Sequence, residues 1–402
     1  MTIFNKQSYL PSATTINFKS STAAYNKLLA TASFYTATNG DRLTSSTLSS
    51  SLTSAASASS PSTSTSSPTR KMFFICQSLL ISLVVLFFLC ALQIDLIRGA
   101  FEDGNNNNVK ITKHSLELTQ TLNMQRQEYL QKQCNTLGYS MLDINDLTDE
   151  QMDHMIVDQE HKLLYCYVPK VACTNWKRVL MILNGSWRNG TDPLQIPGSL
   201  AHSTGMFDKF SSLNETEKQE VLSDYTRFVF VRHPFERLLS AYRNKLEGDT
   251  ASARYFQRRV GKQIVKAFRV DASNHSLEFG NDVSFAEFVQ YLLTPEVSLS
   301  NQSSYNEHWE PISKLCNPCV MKYNVIGKYE TLLDDSALAL YLTGAENMTF
   351  PTGHKPSNTR AHLREYFDPL PISAIRHLYE VYADDFKLFD YGLDDVLGFE
   401  FG

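Results

Sequence analysis

The stretch Leu163–Leu183, LLYCYVPKVACTNWKRVLMIL, allows few local structures. It opens as an apolar run rich in Tyr and Val, is interrupted by Pro169-Lys170, and resumes with Trp176, Val179, Leu180 and Leu183 at i, i+3, i+4, i+7. Those periods predict strand, loop and helix in succession. A loop feeding a helix N-terminus leaves main-chain N–H groups unpaired and aimed one way, which favours an anion; Lys170, Thr174 and Asn175 add donors. The G-x-x-x-x-G-K-[ST] of nucleotide-triphosphate loops is absent. Taken alone, the segment reads equally well as a tight turn with a solvated lysine.

A second element breaks the tie. Thr226–Leu246, TRFVFVRHPFERLLSAYRNKL, is again an apolar strand followed by a helix, with Pro234 suited to the first helical turn and Phe235, Leu238, Leu239, Tyr242 and Leu246 on one face. Arg232 stands at the strand end, and Arg237, Ser240 and Arg243 project from the polar side. A guanidinium and a hydroxyl near a helix start can grip a second phosphate.

Together the two segments resemble the 5′-phosphosulfate loop and the 3′-phosphate segment of sulfotransferases that use 3′-phosphoadenosine 5′-phosphosulfate. The wording PKVACTNWK, VRHPFERLLSAYRNK, LCNPC and GKYETL is similar to the Golgi carbohydrate sulfotransferases of the chondroitin 4-O-sulfotransferase group, over roughly Leu163–Tyr391. One departure is His233, where relatives often carry an acidic residue. The resemblance implies an α/β, P-loop-like sulfotransferase fold with a central, mainly parallel sheet. It implies transfer of a sulfuryl group to a sugar hydroxyl, with C4 of N-acetylgalactosamine in chondroitin or dermatan as the first choice. In that scheme Lys170 stabilises charge on the leaving phosphate, and the backbone and hydroxyls of Val171, Ala172, Cys173, Thr174, Asn175 and Trp176 cradle the 5′-phosphosulfate. Arg232 and Ser240, with Arg237 counted beside them, hold the 3′-phosphate. No metal is required by this set.

Ahead of these motifs the chain changes character twice. Residues 1–71 are rich in Ser, Thr and Ala and hold too little apolar surface to offset ordering entropy, so a disordered tail is expected. Met72–Leu92 contains no charged residue and, at about 1.5 Å per residue, reaches roughly 30 Å, so it reads as a single membrane-spanning signal-anchor. Arg70 and Lys71 precede it, favouring a cytoplasmic N-terminus. The N-x-[ST] sequons at Asn184, Asn189, Asn214, Asn274, Asn301 and Asn347 all follow it, and they are usable only in the secretory lumen. The expected topology is type II in the Golgi membrane: a stem and domain edge at 93–159, including a helix near Leu116–Gln133, then a luminal domain at 160–402.

Beyond the span lie Cys134, Cys166, Cys173, Cys316 and Cys319. Cys316-Asn317-Pro318-Cys319 is half of a zinc pattern with no second half, so a disulfide is expected, closed locally or with another cysteine. The odd count leaves one thiol over, and Cys173 is a candidate for staying reduced. With 43% hydrophobic and 20% charged residues in 402, the chain can bury a full core even with its low-complexity start set aside.

Between the two anion elements, Leu200–Phe207 carries His202, and histidine is the natural general base near neutral pH. Its A-H-x-x-x-x-F setting resembles the histidine segment of related glycosaminoglycan sulfotransferases, including the 2-O type, where it takes the acceptor proton; His233 and Glu236 are the alternatives. Ala251–Val270 contains no acid and spaces Arg254, Arg258, Lys262, Lys266 and Arg269 along one side of an expected amphipathic helix, despite Gly261. That stripe is a candidate docking face for a polyanionic glycan. The net charge of -5 gives no global pull on a polyanion, and no nucleic-acid partner is suggested.

Two rivals stand beside this reading. A Golgi glycosyltransferase has the same topology, but many carry a D-x-D metal site and this chain has none. A catalytically silent membrane-anchored glycan binder would use the basic stripe without turning over a donor. Sulfation of a uronic acid or an N-glycan is the other open choice of acceptor.

Overall fold

The computed structural model describes residues 113–300, 304–352, 358–394 and 398. These fall within one compact unit, Asp95–Gly402. The tail, the apolar span at 72–92 and residues 355–357 of the loop Lys355–Arg360 lie outside the described residues. Among the described residues, no helix is long and apolar enough to cross a membrane.

A five-stranded sheet carries the fold, in the order β3-β1-β2-β4-β5. The strands are β1 (Met155–Asp158), β2 (Leu163–Cys166), β3 (Asp208–Lys209), β4 (Thr226–Val231) and β5 (Val325–Lys328). β2, β4 and β5 are parallel to one another, whereas β1 runs antiparallel to both β2 and β3. The sheet is therefore mixed, not mainly parallel. The reason is local: residues 159–162 between β1 and β2 are too few for a crossover and can only make a hairpin, with Lys162 at φ 46° in the turn. β2 is buried along its whole length, the pattern of a strand covered on both faces.

The helices that position the site are α1 (Lys113–Thr136), α2 (Cys173–Leu183), α3 (Pro234–Tyr242), α4 (Ala251–Phe256), α5 (Lys262–Phe268), α6 (Phe285–Leu292), α7 (Leu332–Leu342) and α8 (Ile372–Val381). α8 ends before Tyr382, after which Ala383–Leu388 forms a separate short helix. The helix at 113–136 is part of the packed domain. Asn123 donates to Asn324 O and accepts from Ile326 N–H, Gln127 donates to Tyr323 O and Asn324 O, and Arg126 pairs with Asp335 and donates to Ile326 O.

Two apolar clusters flank α3. One surrounds the sheet, with Trp176 of α2 packed on Tyr165, Phe228, Phe230 and Phe350. The other gathers Phe235, Leu238, Leu239 and Tyr242 of α3 with Phe285 and Phe288 of α6 and Phe367. Every residue of α3 is buried as a result.

The segment 251–270 is not one helix. α4 and α5 are joined by a π-turn at Gln257–Gly261. Gly261 packs there against Gly280, whose carbonyl oxygen lies 2.1 Å from where a Cβ would sit, so a side chain is excluded by main chain. The close approach, not helix propensity, explains this glycine.

Cys134 is bonded to Cys319 and Cys166 to Cys316, and Cys173 is free and buried. The C-x-x-C does not close on itself. Asn317, left-handed at φ 42°, separates two short helices, and the flanking cysteines join different elements, β2 and α1. The Cys166–Cys316 bond spans 150 residues of chain. Replacing both cysteines by alanine is expected to lower stability by about 2–5 kcal/mol, read from denaturant unfolding. An unchanged midpoint would show that the bond does nothing for the fold.

Candidate functional site

The loop between β2 and α2 has an unusual backbone. Lys170 (φ 73°) and Ala172 (φ 57°) are both left-handed, a conformation non-glycine residues adopt at a cost of order 1–3 kcal/mol. Alternating handedness turns successive N–H groups inward to make an anion-binding nest. Among the described residues, the amides of Lys170, Ala172, Cys173 and Thr174 have no protein acceptor. Those of Asn175 and Trp176 both donate to Ala172 O, and that of Val171 to Val168 O.

The expected cradle is thus narrower than Val171–Trp176. The Trp176 ring is core, and the Asn175 side chain is engaged by Pro351 O and Arg178. What faces outward is the run of open amides, the Thr174 hydroxyl and Lys170. Burial, followed by repulsion from Lys245, Arg232 and Arg237, pushes the Lys170 ammonium down to about 8, with the nearby Cys173 opposing. Such a lysine gains from any anion that replaces its lost solvent.

Arg237 explains how the loop is held. Only 1% exposed, its guanidinium donates to Pro169 O (3.0 Å), Glu307 O (2.8 Å) and Glu310 O (2.6 Å). Expected among the donor-binding groups, it instead pins the loop from behind to the turn at 306–311. Arg232 is also buried, paired with Glu236 (3.2 Å), stacked 4.2 Å over the Tyr329 ring and 3.4 Å from Lys170 O. Burial raises the pKa of Glu236 against the opposing pull of Arg232.

Ser240, one turn farther along α3, lines a cleft with Lys170, Arg243, Asn244, Glu247 and Thr359. Its hydroxyl has no partner among the described residues. α3 then continues as a π-turn, Arg243–Glu247. The wider turn buries Lys245 beside Leu246, with its ammonium on Ser252 Oγ (2.8 Å) and 4.7 Å over the Phe256 ring.

The structure separates the histidines. His202 Nε2 lies 2.9 Å from Thr174 Oγ1, so it belongs with the loop between β2 and α2. The ring keeps solvent contact, yet loss of part of its water shell and the charges of Lys177, Lys245 and Arg178 push it down to about 4. His233 is buried: Nδ1 accepts the Phe235 N–H as a helix cap, and Nε2 bonds Gly392 O at 3.0 Å. Both ring nitrogens are committed, which removes it from base chemistry and accounts structurally for a histidine there.

The basic stripe is uneven. Arg269 is bound by Asp282 (2.6 Å) and Glu287 (2.8 Å), which raise its pKa, and Arg254 is paired with Asp249 (2.6 Å). Arg258 and Lys266 remain exposed and Lys262 half-exposed, with no carboxylate partner among the described residues.

Missed by the sequence reading were Lys245, Arg237's true role and the segment Asn306–Pro311, which includes His308. Helical periodicity hides Lys245, because a π-turn shifts the register. For the turn, the only signal was a His and two Glu flanking Trp309 before a proline, NEHWEP.

The profile of the Sulfotransferase family matches residues 153–392. Carbohydrate sulfotransferase 11 of Mus musculus is 38% identical over 286 residues, covering 70% of this chain and 80% of the relative. Carbohydrate sulfotransferase 12 of Xenopus laevis is 37% identical over 271 residues (63% of each chain), and carbohydrate sulfotransferase 14 of Danio rerio 39% over 249 residues (61% and 64%). No solved structure matches the chain. The matched span runs from the hairpin into β2 past the C-terminal helices, and so takes in the nest, the Arg232 turn and the cleft; the chain belongs to the sulfotransferase family.

Proposed function

We propose that this protein is a carbohydrate O-sulfotransferase whose donor is 3′-phosphoadenosine 5′-phosphosulfate and whose acceptor is C4 of N-acetylgalactosamine in chondroitin or dermatan. The observation that carries the donor half is the cleft shared by Lys170 and Ser240, two residues from separate strand–loop–helix units, beside a row of unpaired amides. When bound, the donor supplies an activated sulfuryl group. Lys170 and the amides of Lys170, Ala172, Cys173 and Thr174 suit its 5′ end, where negative charge grows on the leaving phosphate. Ser240 and Arg232 suit the 3′-phosphate, while Arg237 supports the 5′ loop from behind through Pro169 O.

The acceptor half rests on the relatives' names and on the resemblance. A polyanionic chain would meet Arg258 on the π-turn and Lys262 and Lys266 on α5; Arg254 and Arg269, engaged by carboxylates, contribute less. A luminal domain behind a type II anchor in the Golgi is supported by two disulfides, which need an oxidising compartment, and by Asn184, Asn189, Asn214, Asn274 and Asn347, all exposed.

The test is to incubate the detergent-solubilised full chain with labelled donor and a panel of desulfated chondroitin, dermatan, heparan and N-glycan acceptors. New sulfate is expected at C4 of N-acetylgalactosamine. Label confined to heparan or N-glycan would overturn the acceptor. Glycan binding without any labelled product would instead make the protein a silent binder.

A further inference from the structure

We propose that His308, on the turn Asn306–Pro311, is the base that takes the proton from the acceptor hydroxyl, through its Nε2 atom. The assignment rests on the sulfotransferase reading, and three observations carry it.

The first is placement. Arg237 holds Glu307 O and Glu310 O with the same guanidinium that holds Pro169 O, so the turn bearing His308 and the donor loop are fixed to one rigid plane. His308 also shares the Phe256 ring with Lys245: the imidazole meets it edge-on at 5.2 Å and the ammonium lies 4.7 Å over it.

The second is the tautomer. Asn306 Oδ1 accepts the His308 main-chain N–H (3.2 Å) and lies 2.7 Å from His308 Nδ1. An amide oxygen only accepts, so Nδ1 carries the proton and Nε2 the lone pair. Among the described residues Nε2 has no partner, and the side chain stays 15% exposed. His202 Nε2 instead meets the Thr174 hydroxyl, an atom that can donate or accept, so neither its tautomer nor the direction of a lone pair is fixed there, and we assign it the positioning of that hydroxyl.

The third is the electrostatic setting. Burial and the charges of Lys245, Lys170 and Arg237, with His202 adding to them, keep the ring neutral and weaken it as a proton acceptor in the free protein; an anionic donor bound beside Lys170 would offset those charges and raise its basicity. The Glu307 carboxylate, 3.7 Å from Nδ1, faces it from the same turn and would stabilise the imidazolium once formed.

In the step itself, the hydroxyl oxygen bonds to sulfur while the sulfur–oxygen bond to the donor phosphate breaks, its electron pair going to that phosphate oxygen beside Lys170. The hydroxyl proton passes to Nε2 and then to solvent.

The experiment uses full-length H308Q and H308A, with H202Q as comparison. Binding of adenosine 3′,5′-bisphosphate by calorimetry and melting temperature are expected to stay near wild type for H308Q, while kcat falls 10²- to 10⁴-fold. Added imidazole should restore part of the turnover of H308A, which a merely structural role would not allow. H202Q should weaken bisphosphate binding along with its loss of rate. Near-normal turnover by folded H308Q, or a kcat collapse in H202Q with bisphosphate binding intact, overturns the assignment. If the wild-type chain itself sulfates no acceptor, the sulfotransferase reading fails instead.

Discussion

Lys170→Ala is expected to lower kcat by about 10²- to 10³-fold, the usual cost of deleting one group that meets charge developing in a transition state. The stability effect should have the opposite sign to that of a typical buried deletion. Lys170 is held among Lys245, Arg232 and Arg237, and its pKa is depressed to about 8. A lysine whose folded pKa lies below its unfolded value disfavours folding while protonated, so its removal should leave the melting temperature unchanged or higher. Its main-chain contribution survives, since alanine keeps the carbonyl near Arg232 and carries the same Cβ into the left-handed conformation. Activity lost in step with unfolding, or turnover near wild type, would sink this account of the loop.

Arg237→Ala is expected to behave in the opposite way. Three carbonyl oxygens lose their donor at a site that is 1% exposed, and stranded buried acceptors cost about 1–3 kcal/mol each. A total near 3–5 kcal/mol is in line with other buried polar networks, a fall in melting temperature on the order of 10 °C. Arg237→Lys should rescue little, because an ammonium cannot match the planar fork. Bisphosphate binding should fail only as folding fails. If the folded variant melted normally and merely bound bisphosphate more weakly, the residue would touch the donor after all.

That contrast between two cations shows where the sequence was legible. Strand–loop–helix at Leu163–Leu183 and Thr226–Leu246 followed from apolar period alone, and Lys170 could be singled out as a candidate because it sits in a loop, where a charge has little structural use. Arg237 could not. The period of α3 implied one solvent face, but the Pro169 loop and the turn at 306–311 lie against Arg237 on that face, and only the three-dimensional packing turns a polar-side arginine into an interior clamp. The cysteines show the same limit. Their chemistry fixed that bonds form, whereas their pairing depends on which elements meet across 150 and 185 residues. His308 lies in an irregular turn with no period to read, and its candidacy depends on the tautomer that Asn306 enforces.

The side chains that α1 lays along β5 have a consequence for association between molecules. Asn123, Arg126 and Gln127 occupy main-chain groups from Tyr323 to Ile326 that a sixth strand would otherwise claim. At the opposite border, β3 is only two residues long. Neither margin of the sheet presents a long open ladder to a foreign strand, the usual start of edge-to-edge aggregation. A fragment trimmed to begin after α1 would keep every nest residue yet uncover β5, and it would be prone to self-pairing.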